Sequence, residues 1–318
     1  VRVLILGLSS IAQRRVVPAL QAIASVKAID VATRRAREGD RPDWPTGTLY
    51  GDYGAALAHG GADLVYVSLV NSEHQRWAEA ALRHGLHVVV DKPAFLSLTE
   101  TERMLELADL HSVCLAEANV VAYHPQLQFL KDQFDAAGSP PRRVSATLSF
   151  PPMDPANFRY RRDLGGGALW DLGPYASCVG RLFFAEEPEN IVGRVLQRGG
   201  PDHVDTAFSM LATYDGGRSV VGHFGFDTVY RNRVDVIGPE MGAEMDRFFT
   251  SVPDVGNEVR VTTKQGVSTL RAPAGDPFAR FFQHLLDAIA GRCWSGLSND
   301  LLADARTLDR LRRAAGEQ

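Results

Sequence analysis

The sequence predicts an α/β chain in two parts: a doubly wound parallel sheet, then an α+β half built on a mostly antiparallel sheet. Three observations carry this prediction. The first 119 residues alternate short, near-continuous apolar runs with amphipathic stretches. Residues 120–318 change to strand-like runs that follow one another across tight turns. A glycine-bearing turn also separates the first apolar run from the first amphipathic stretch.

In chain order, Val1–Leu6, Val26–Thr33, Ala62–Leu69, Leu86–Val90 and Val113–Glu117 read as strands. Runs this uniformly apolar suit a parallel sheet covered on both faces. Between them, Ala12–Ala24 and Ser72–His84 repeat apolar residues at helical spacing, and Gly85 is a natural stop for the second. Ser97-Leu98-Thr99-Glu100 has capping-box spacing and opens a helix to about Ala108. Alternating strands and helices form βαβ units, the N-terminal Rossmann arrangement.

Arg142–Phe150, His203–Tyr214, Arg218–Phe226, Arg231–Ile237 and Glu258–Thr263 are the strands expected in the second part. Asp215-Gly216-Gly217 marks a hairpin, and Asp276-Pro277 gives a cap and first-turn proline for a helix to about Ala290. The expected domains are therefore 1–119 and 120–318, on the change of pattern alone.

Bulk properties exclude other classes. The chain has 318 residues, 45% hydrophobic and 23% charged, which suits a globular protein with one or two cores. A net charge of -4 gives no general attraction to nucleic acid. Cys114, Cys178 and Cys293 are odd in number, widely spaced and without a Cys-x-x-Cys pair, so no disulfide framework or zinc knuckle is expected. No uncharged apolar stretch reaches a membrane-spanning length, and the opening strand lacks signal-peptide features. The expected compartment is the cytoplasm, and no metal site is expected, since His84 and His87 have no completing ligands.

Gly7-Leu8-Ser9-Ser10-Ile11-Ala12 lies where a dinucleotide fingerprint belongs, with Ser9 and Ala12 at the second and third fingerprint positions. Such a turn lets a pyrophosphate approach the backbone at a helix start, although two serines also suit an ordinary helix cap. About 20 residues on, NAD enzymes usually carry an acid for the ribose hydroxyl. Here Thr33-Arg34-Arg35 stands instead, offering hydrogen bonds to a 2′-phosphate and thus favouring NADP(H). The competing reading is a solvated basic turn.

Two segments add chemistry. Asp91-Lys92-Pro93 puts a lysine just past a buried strand, where open α/β sheets place ligands. Leu164-Gly165-Gly166-Gly167-Ala168-Leu169-Trp170-Asp171-Leu172-Gly173-Pro174-Tyr175 leads into a helix. If that helix starts near Trp170, Asp171 and Tyr175 share a face.

At these residues the chain resembles the glucose–fructose oxidoreductase/inositol dehydrogenase/rhizopine-catabolism (Gfo/Idh/MocA) family, and within it the nucleotide-sugar 3-ketoreductases. Ile11-Ala12-Gln13-Arg14-Arg15, Pro18-Ala19-Leu20, Phe150-Pro151-Pro152 and Phe158-Arg159-Tyr160 extend the match along the chain. The resemblance implies reduction of a ring ketone of a nucleotide-linked keto-deoxysugar with NADP(H). It assigns Lys92 to the reacting oxygen, Tyr175 to proton donation, and Asp171 to orienting the site or contacting substrate. Gly7, Ser9, Ser10, Ile11, Thr33, Arg34, Arg35, Leu69, Asn71, His74, Asp91 and Lys92 would line the cofactor cleft. Tyr123, His124, Arg159 and Tyr160 would face the substrate, and Arg159, Arg161 or Arg162 would meet its diphosphate unless they form a solvated loop. A homodimer or homotetramer paired through a large, open C-terminal sheet is implied as well. Two residues depart from the family pattern: Asp91 stands for glutamate and Ser9 for glycine. Alternative activities are a dehydrogenase of free sugars, polyols or trans-dihydrodiols, and a catalytically silent NADP-binding sensor or scaffold.

Overall fold

The computed structural model describes residues 1–34 and 47–317. It divides the chain into two compact units: Val1–Ala118 with Phe278–Leu302, and Asn119–Pro277 with Ala303–Gln318.

The first unit holds β1 (Arg2–Leu6), β2 (Ala28–Ala32), β3 (Leu49–Tyr50), β4 (Leu64–Val67), β5 (His87–Val90) and β6 (Leu115–Glu117). All pairings are parallel, in the order β3-β2-β1-β4-β5-β6. That is the dinucleotide-binding order, with the strand order reversing beside β1. The five expected strands are present. The sequence reading missed β3, which has two half-buried residues and so no periodicity to detect.

The helices are α1 (Val17–Gln21), α2 (Tyr53–His59), α3 (His74–Arg83) and α4 (Leu98–Leu110). Helical residues 10–21 are continuous, but Ala12–Val16 is a π turn. Pro18 has no N–H for the Arg14 carbonyl, and the ladder slips there, with Val17 N donating to Ala12 O. Ser97 caps α4 as its spacing predicts, accepting from Glu100 N at 3.1 Å. Leu4, Leu6, Val65, Val67, Val88 and Val90 pack against Ala78, Ala81, Leu82 and Met104.

The second unit contains β7 (Arg143–Ser149), β8 (Asn190–Gly199), β9 (Val204–Tyr214), β10 (Arg218–Gly225), β11 (Arg231–Ile237), β12 (Met241–Asp246), β13 (Glu258–Thr263) and β14 (Gly266–Arg271). Their order is β14-β13-β12-β11-β7-β10-β9-β8, antiparallel except where β7 meets β10. The Asp215–Gly217 turn joins β9 to β10 as expected. Helices α5 (Pro125–Ala136), α6 (Ala168–Asp171) and α7 (Gly173–Phe184) belong to this unit. Leu130, Phe134, Val179 and Leu182 join Phe208, Phe224, Val234 and Val236 of the sheet in one core.

Two expectations need correction. Asp171 and Tyr175 do not lie on one helix: the chain breaks at Leu172, so α6 ends at Asp171 and Pro174 opens α7. A proline four residues after Trp170 removes the N–H that would continue the ladder. The chain also does not divide once, at 119. Helix α8 (Pro277–Ala290) and the start of α9 (Ser295–Ala314) fall in the first unit. Phe281, Phe282 and Leu285 are fully buried, and Phe282 meets Tyr66 of β4 edge-on at 5.7 Å. An apolar helix face packs where matching apolar surface exists, whatever its distance in sequence.

Candidate active site

In the first unit the nucleotide turn starts at Gly7, which has φ +92° and donates its N–H to Ala32 O at 2.8 Å. A Cβ there would strike the Ser68 carbonyl and the Leu69 side chain, so only glycine fits. Ser10 and Ile11 are exposed at the helix start, while Ser9 is half-buried. Ser9 Oγ accepts from Ala12 N at 3.1 Å and lies 2.7 Å from Ser68 Oγ.

Thr33, at the end of β2, is buried and donates its N–H to Tyr50 O at 2.9 Å. The Arg34 guanidinium lies 5.1 Å over the Tyr53 ring and 3.8 Å from the Glu73 carboxylate, yet its side chain stays 62% exposed. An ion pair this open and long holds the guanidinium weakly. Arg35 lies outside the described residues.

Leu69 and Asn71 follow β4. His74 opens α3 with no exposed surface. Its Nδ1 is 2.9 Å from Pro93 O and its Nε2 is 3.1 Å from Leu69 O. The imidazole thus ties the segment after β4 to the segment after β5, rather than lining a cleft. Burial pushes its pKa down, against the pull of Asp91 and the carbonyls. Asp91 accepts from Tyr66 OH and, at 2.6 Å, from Ser68 Oγ. Burial pushes the Asp91 carboxyl up, while those two hydroxyls, His74 and Lys92 work against that shift. Lys92 follows, half-buried, directly before Pro93.

In the second unit two segments 12 residues apart are stitched together. Gly166 and Gly167 donate N–H bonds to the Arg161 and Arg159 carbonyls, each at 2.9 Å. The same folding brings Arg159 Nε to Asp171 Oδ2 at 2.8 Å, both largely buried. Burial disfavours the guanidinium charge, but Asp171 more than offsets this and raises the Arg159 pKa. Tyr175 stands half-buried in the first turn of α7, its ring 5.4 Å from Phe249.

Other expected substrate residues are occupied structurally. Tyr160 is buried, meets Phe226 edge-on at 5.5 Å, and accepts from Met153 N at 3.1 Å. His124 is buried as the cap of α5, its Nδ1 accepting from Gln126 N at 3.1 Å. A ring nitrogen that accepts a backbone bond is committed to the helix start. Tyr123, beside it, is half-buried. Arg161 faces Asp163 and Asp202, each at 3.3 Å, and Arg162 N donates to Asp202 at 2.9 Å. Both arginines are exposed.

The sequence reading missed Asp205. Its carboxylate accepts from Leu169 N at 2.6 Å, at the start of α6, and fills the space beside Gly167, whose φ is +119°. Burial pushes the Asp205 pKa up to about 6. Nearby Arg312 lies 3.4 Å over the Trp170 ring, and burial brings its pKa down to about 10. One signal was available in the sequence: an aspartate near the start of the strand-like run that becomes β9.

Comparison with known proteins adds a second kind of evidence. Residues 1–119 match the model of an oxidoreductase family with an NAD-binding Rossmann fold, GFO/IDH/MocA, and residues 138–244 match the GFO/IDH/MocA C-terminal domain. A dTDP-3,4-didehydro-2,6-dideoxy-alpha-D-glucose 3-reductase from Actinomadura kijaniata is 31% identical, over 99% of this chain and 96% of that protein. A D-xylose 1-dehydrogenase (NADP(+)) from Haloferax volcanii is 30% identical, over 87% of this chain and 85% of that one. Among solved structures, a 3-ketoreductase from Actinomadura kijaniata in complex with NADP and TDP-benzene superposes with a TM-score of 0.89. It is 28% identical and covers 99% of this chain and 97% of its own.

Proposed function

We propose, from the premise that this chain belongs to the GFO/IDH/MocA oxidoreductase family, that it is an NADP(H)-dependent reductase of a ring ketone on a nucleotide-linked deoxysugar. The observation that carries this reading is near-complete coverage, at 31% identity, by a dTDP-keto-deoxyglucose 3-reductase. The residues present fit the cofactor. Gly7 leaves a turn that any side chain would block, and the end of β2 presents Arg34 rather than a carboxylate. The cofactor supplies the hydride when bound.

The chain's own residues would bind, orient and move a proton. Gly7, Ser9, Ser10 and Ile11 shape the nucleotide turn, with Thr33, Arg34 and Arg35 toward the 2′-phosphate. Lys92 places an ammonium where negative charge develops on the carbonyl oxygen. The Tyr175 hydroxyl gives that oxygen its proton. Asp171, held by Arg159 at 2.8 Å, orients the proton donor's surroundings. Arg161 and Arg162 stay candidates for the diphosphate from their exposed loop, beside Arg159. Asp171 already answers the charge of Arg159, so a diphosphate would have to share it.

The first unit, with residues 278–302, is the cofactor-binding part of this reading, and the second binds substrate and oligomerises. Val192, Leu211 and Val221 sit opposite one another across β8, β9 and β10, and all three are exposed. An apolar row on an open sheet face favours pairing of copies there, as a homodimer or homotetramer. No described helix is long and apolar enough to cross a membrane. The exposed free thiol of Cys293 favours a reducing compartment, the cytoplasm.

The test is oxidation of NADPH in the presence of a dTDP-linked keto-deoxyhexose, run beside D-xylose, a polyol and a trans-dihydrodiol. Turnover of the nucleotide sugar alone is the expected result. Turnover only of the free sugar, as the similarity to a D-xylose dehydrogenase would favour, replaces this reading. Cofactor binding without turnover of any of them would leave a sensor or scaffold.

A further inference from the structure

Three polar side chains of the first unit are linked in series across segments far apart in sequence. Tyr66 OH donates to Asp91 Oδ1, and Ser68 Oγ donates to Asp91 Oδ2 at 2.6 Å. Ser68 Oγ is also 2.7 Å from Ser9 Oγ, which accepts from Ala12 N at 3.1 Å. An ionised carboxylate only accepts, and a hydroxyl has a single proton. Burial pushes the Asp91 carboxyl up, while the Tyr66 and Ser68 hydroxyls, His74 and Lys92 oppose that shift. The geometry has Ser68 Oγ donating to Asp91 Oδ2, and with that single proton spent, Ser9 is the donor in the Ser9–Ser68 contact. The direction of every bond then follows: Ala12 N–H to Ser9, Ser9 to Ser68, Ser68 to Asp91.

We propose that Ser9, Ser68 and Asp91 form one directional hydrogen-bond relay that fixes the nucleotide turn and keeps the Ser9 hydroxyl proton turned inward. Ser9 then offers the dinucleotide no hydrogen bond of its own. Its contribution is to hold the turn in its binding shape, through the strand that also presents Lys92. Ser68, which the sequence reading left unassigned, becomes a positioning residue. The two departures from the family pattern, Ser9 and Asp91, become the ends of a single device rather than separate defects.

This inference rests on the proposed cofactor reading, so the test pairs a cofactor measurement with one that needs no cofactor. Ser9→Ala, Ser68→Ala and the double variant are compared for NADPH affinity by fluorescence titration. The same proteins, cofactor-free, are compared for thermal midpoint. The relay predicts that each single variant weakens NADPH binding by about three- to tenfold, the range of one net hydrogen bond. Each should also lower the cofactor-free midpoint by about 2–4 °C. The double variant should lose no more than the worse single in both measurements, because either change breaks the same series. If Ser9 instead donates to the cofactor, Ser68→Ala leaves binding unchanged or tightens it while Ser9→Ala weakens it, and the relay is overturned. Additive losses overturn it too. Should the unaltered protein fail to bind NADPH while the midpoints are non-additive, the relay stands and the cofactor reading falls.

Discussion

Two glycine turns, one in each unit, solve the same problem in different ways. Each leads into a helix start, and each is held by an aspartate from a neighbouring strand or strand end. At Gly7 the aspartate acts at a distance: Asp91 reaches the turn through Ser68 and Ser9. At Gly167 it acts directly, with Asp205 accepting the Leu169 N–H at 2.6 Å. Asp91 has two hydroxyl donors and two neighbouring cationic or titratable groups working to keep it charged. At Asp205 the Leu169 and Asp205 backbone N–H groups and Arg312 favour the charge, Glu317 opposes it, and burial lifts the pKa to about 6. Burial still raises the Asp91 pKa, and the charge behind the second turn changes within reach of mild acid. The difference teaches that one buried carboxylate can hold a turn through two intervening hydroxyls and another by a single direct backbone bond.

The largest expected effect tests whether the second turn serves chemistry and the first serves affinity. Tyr175→Phe keeps the ring against Phe249 and removes the proposed proton. A general acid contributes about 10²–10⁴-fold, so kcat should fall by that order with NADPH affinity intact. Lys92→Ala should cause a comparable loss, and the double variant less than the product of the two. Near-normal turnover of Tyr175→Phe in a steady-state assay would remove the tyrosine from the mechanism and the comparison with it.

A smaller effect belongs to the first unit. Arg34→Ala should raise the NADPH dissociation constant about tenfold, the consequence of losing one charged hydrogen bond. NADH binding should hardly change. Equal losses for both cofactors, measured by titration, would show that Arg34 shapes the turn rather than reading the 2′-phosphate. Its weak tie to Glu73, 3.8 Å away, leaves the guanidinium free to move toward a stronger anion.

The smallest effect sharpens the contrast between the two carboxylates. The folded-state pKa of Asp205 is raised by burial from the ordinary carboxylate value to about 6. The folded protein therefore holds this proton more tightly than the unfolded chain does. The associated stability is fully present below about pH 4 and is lost as pH rises through about 6. Asp205→Asn keeps an acceptor for Leu169 N and carries no charge. It should match or exceed the unaltered protein in stability at pH 7.5, by about 1–3 kcal/mol at most. That advantage should disappear by pH 4. Denaturant titrations across this range measure it, and a difference that stays flat with pH would deny Asp205 the raised pKa.

Much of this molecule was legible before any coordinates. Uniform apolar runs identified β1, β2, β4, β5 and β6, because strands buried on both faces must be apolar throughout. The capping box at Ser97, the hairpin at Asp215–Gly217 and the proline that opens α8 are local signals, and they are local in the structure too. Strands β8, β12 and β14 were missed. All six residues of β14 are exposed or nearly so, and β8 carries Arg194, Gln197 and Arg198 with a register shift beside Val195. β14 shows no alternation, and in β8 the alternation of burial up to the register shift is masked in sequence by exposed Val192 and Leu196.

Of the candidate site, the sequence by itself determined the residue types and their order: a glycine at position 7 in the first turn, Arg34 with no acid at the end of β2, and a lysine after β5. It also determined that a glycine-rich segment precedes Asp171 and Tyr175. Only the tertiary structure decided what those residues are bonded to. Arg159 meets Asp171 because the glycine segment folds back on the Arg159–Arg161 backbone, and Tyr160 and His124 turn inward to core and cap. Ser9 and Asp91 become partners through Ser68, 59 and 23 residues away along the chain. Asp205 becomes the anchor of α6 from 36 residues away. Propensity and spacing act between near neighbours in sequence. The direction of a buried hydrogen bond and the charge of a buried carboxylate depend on donors that only the folded chain brings within 3 Å.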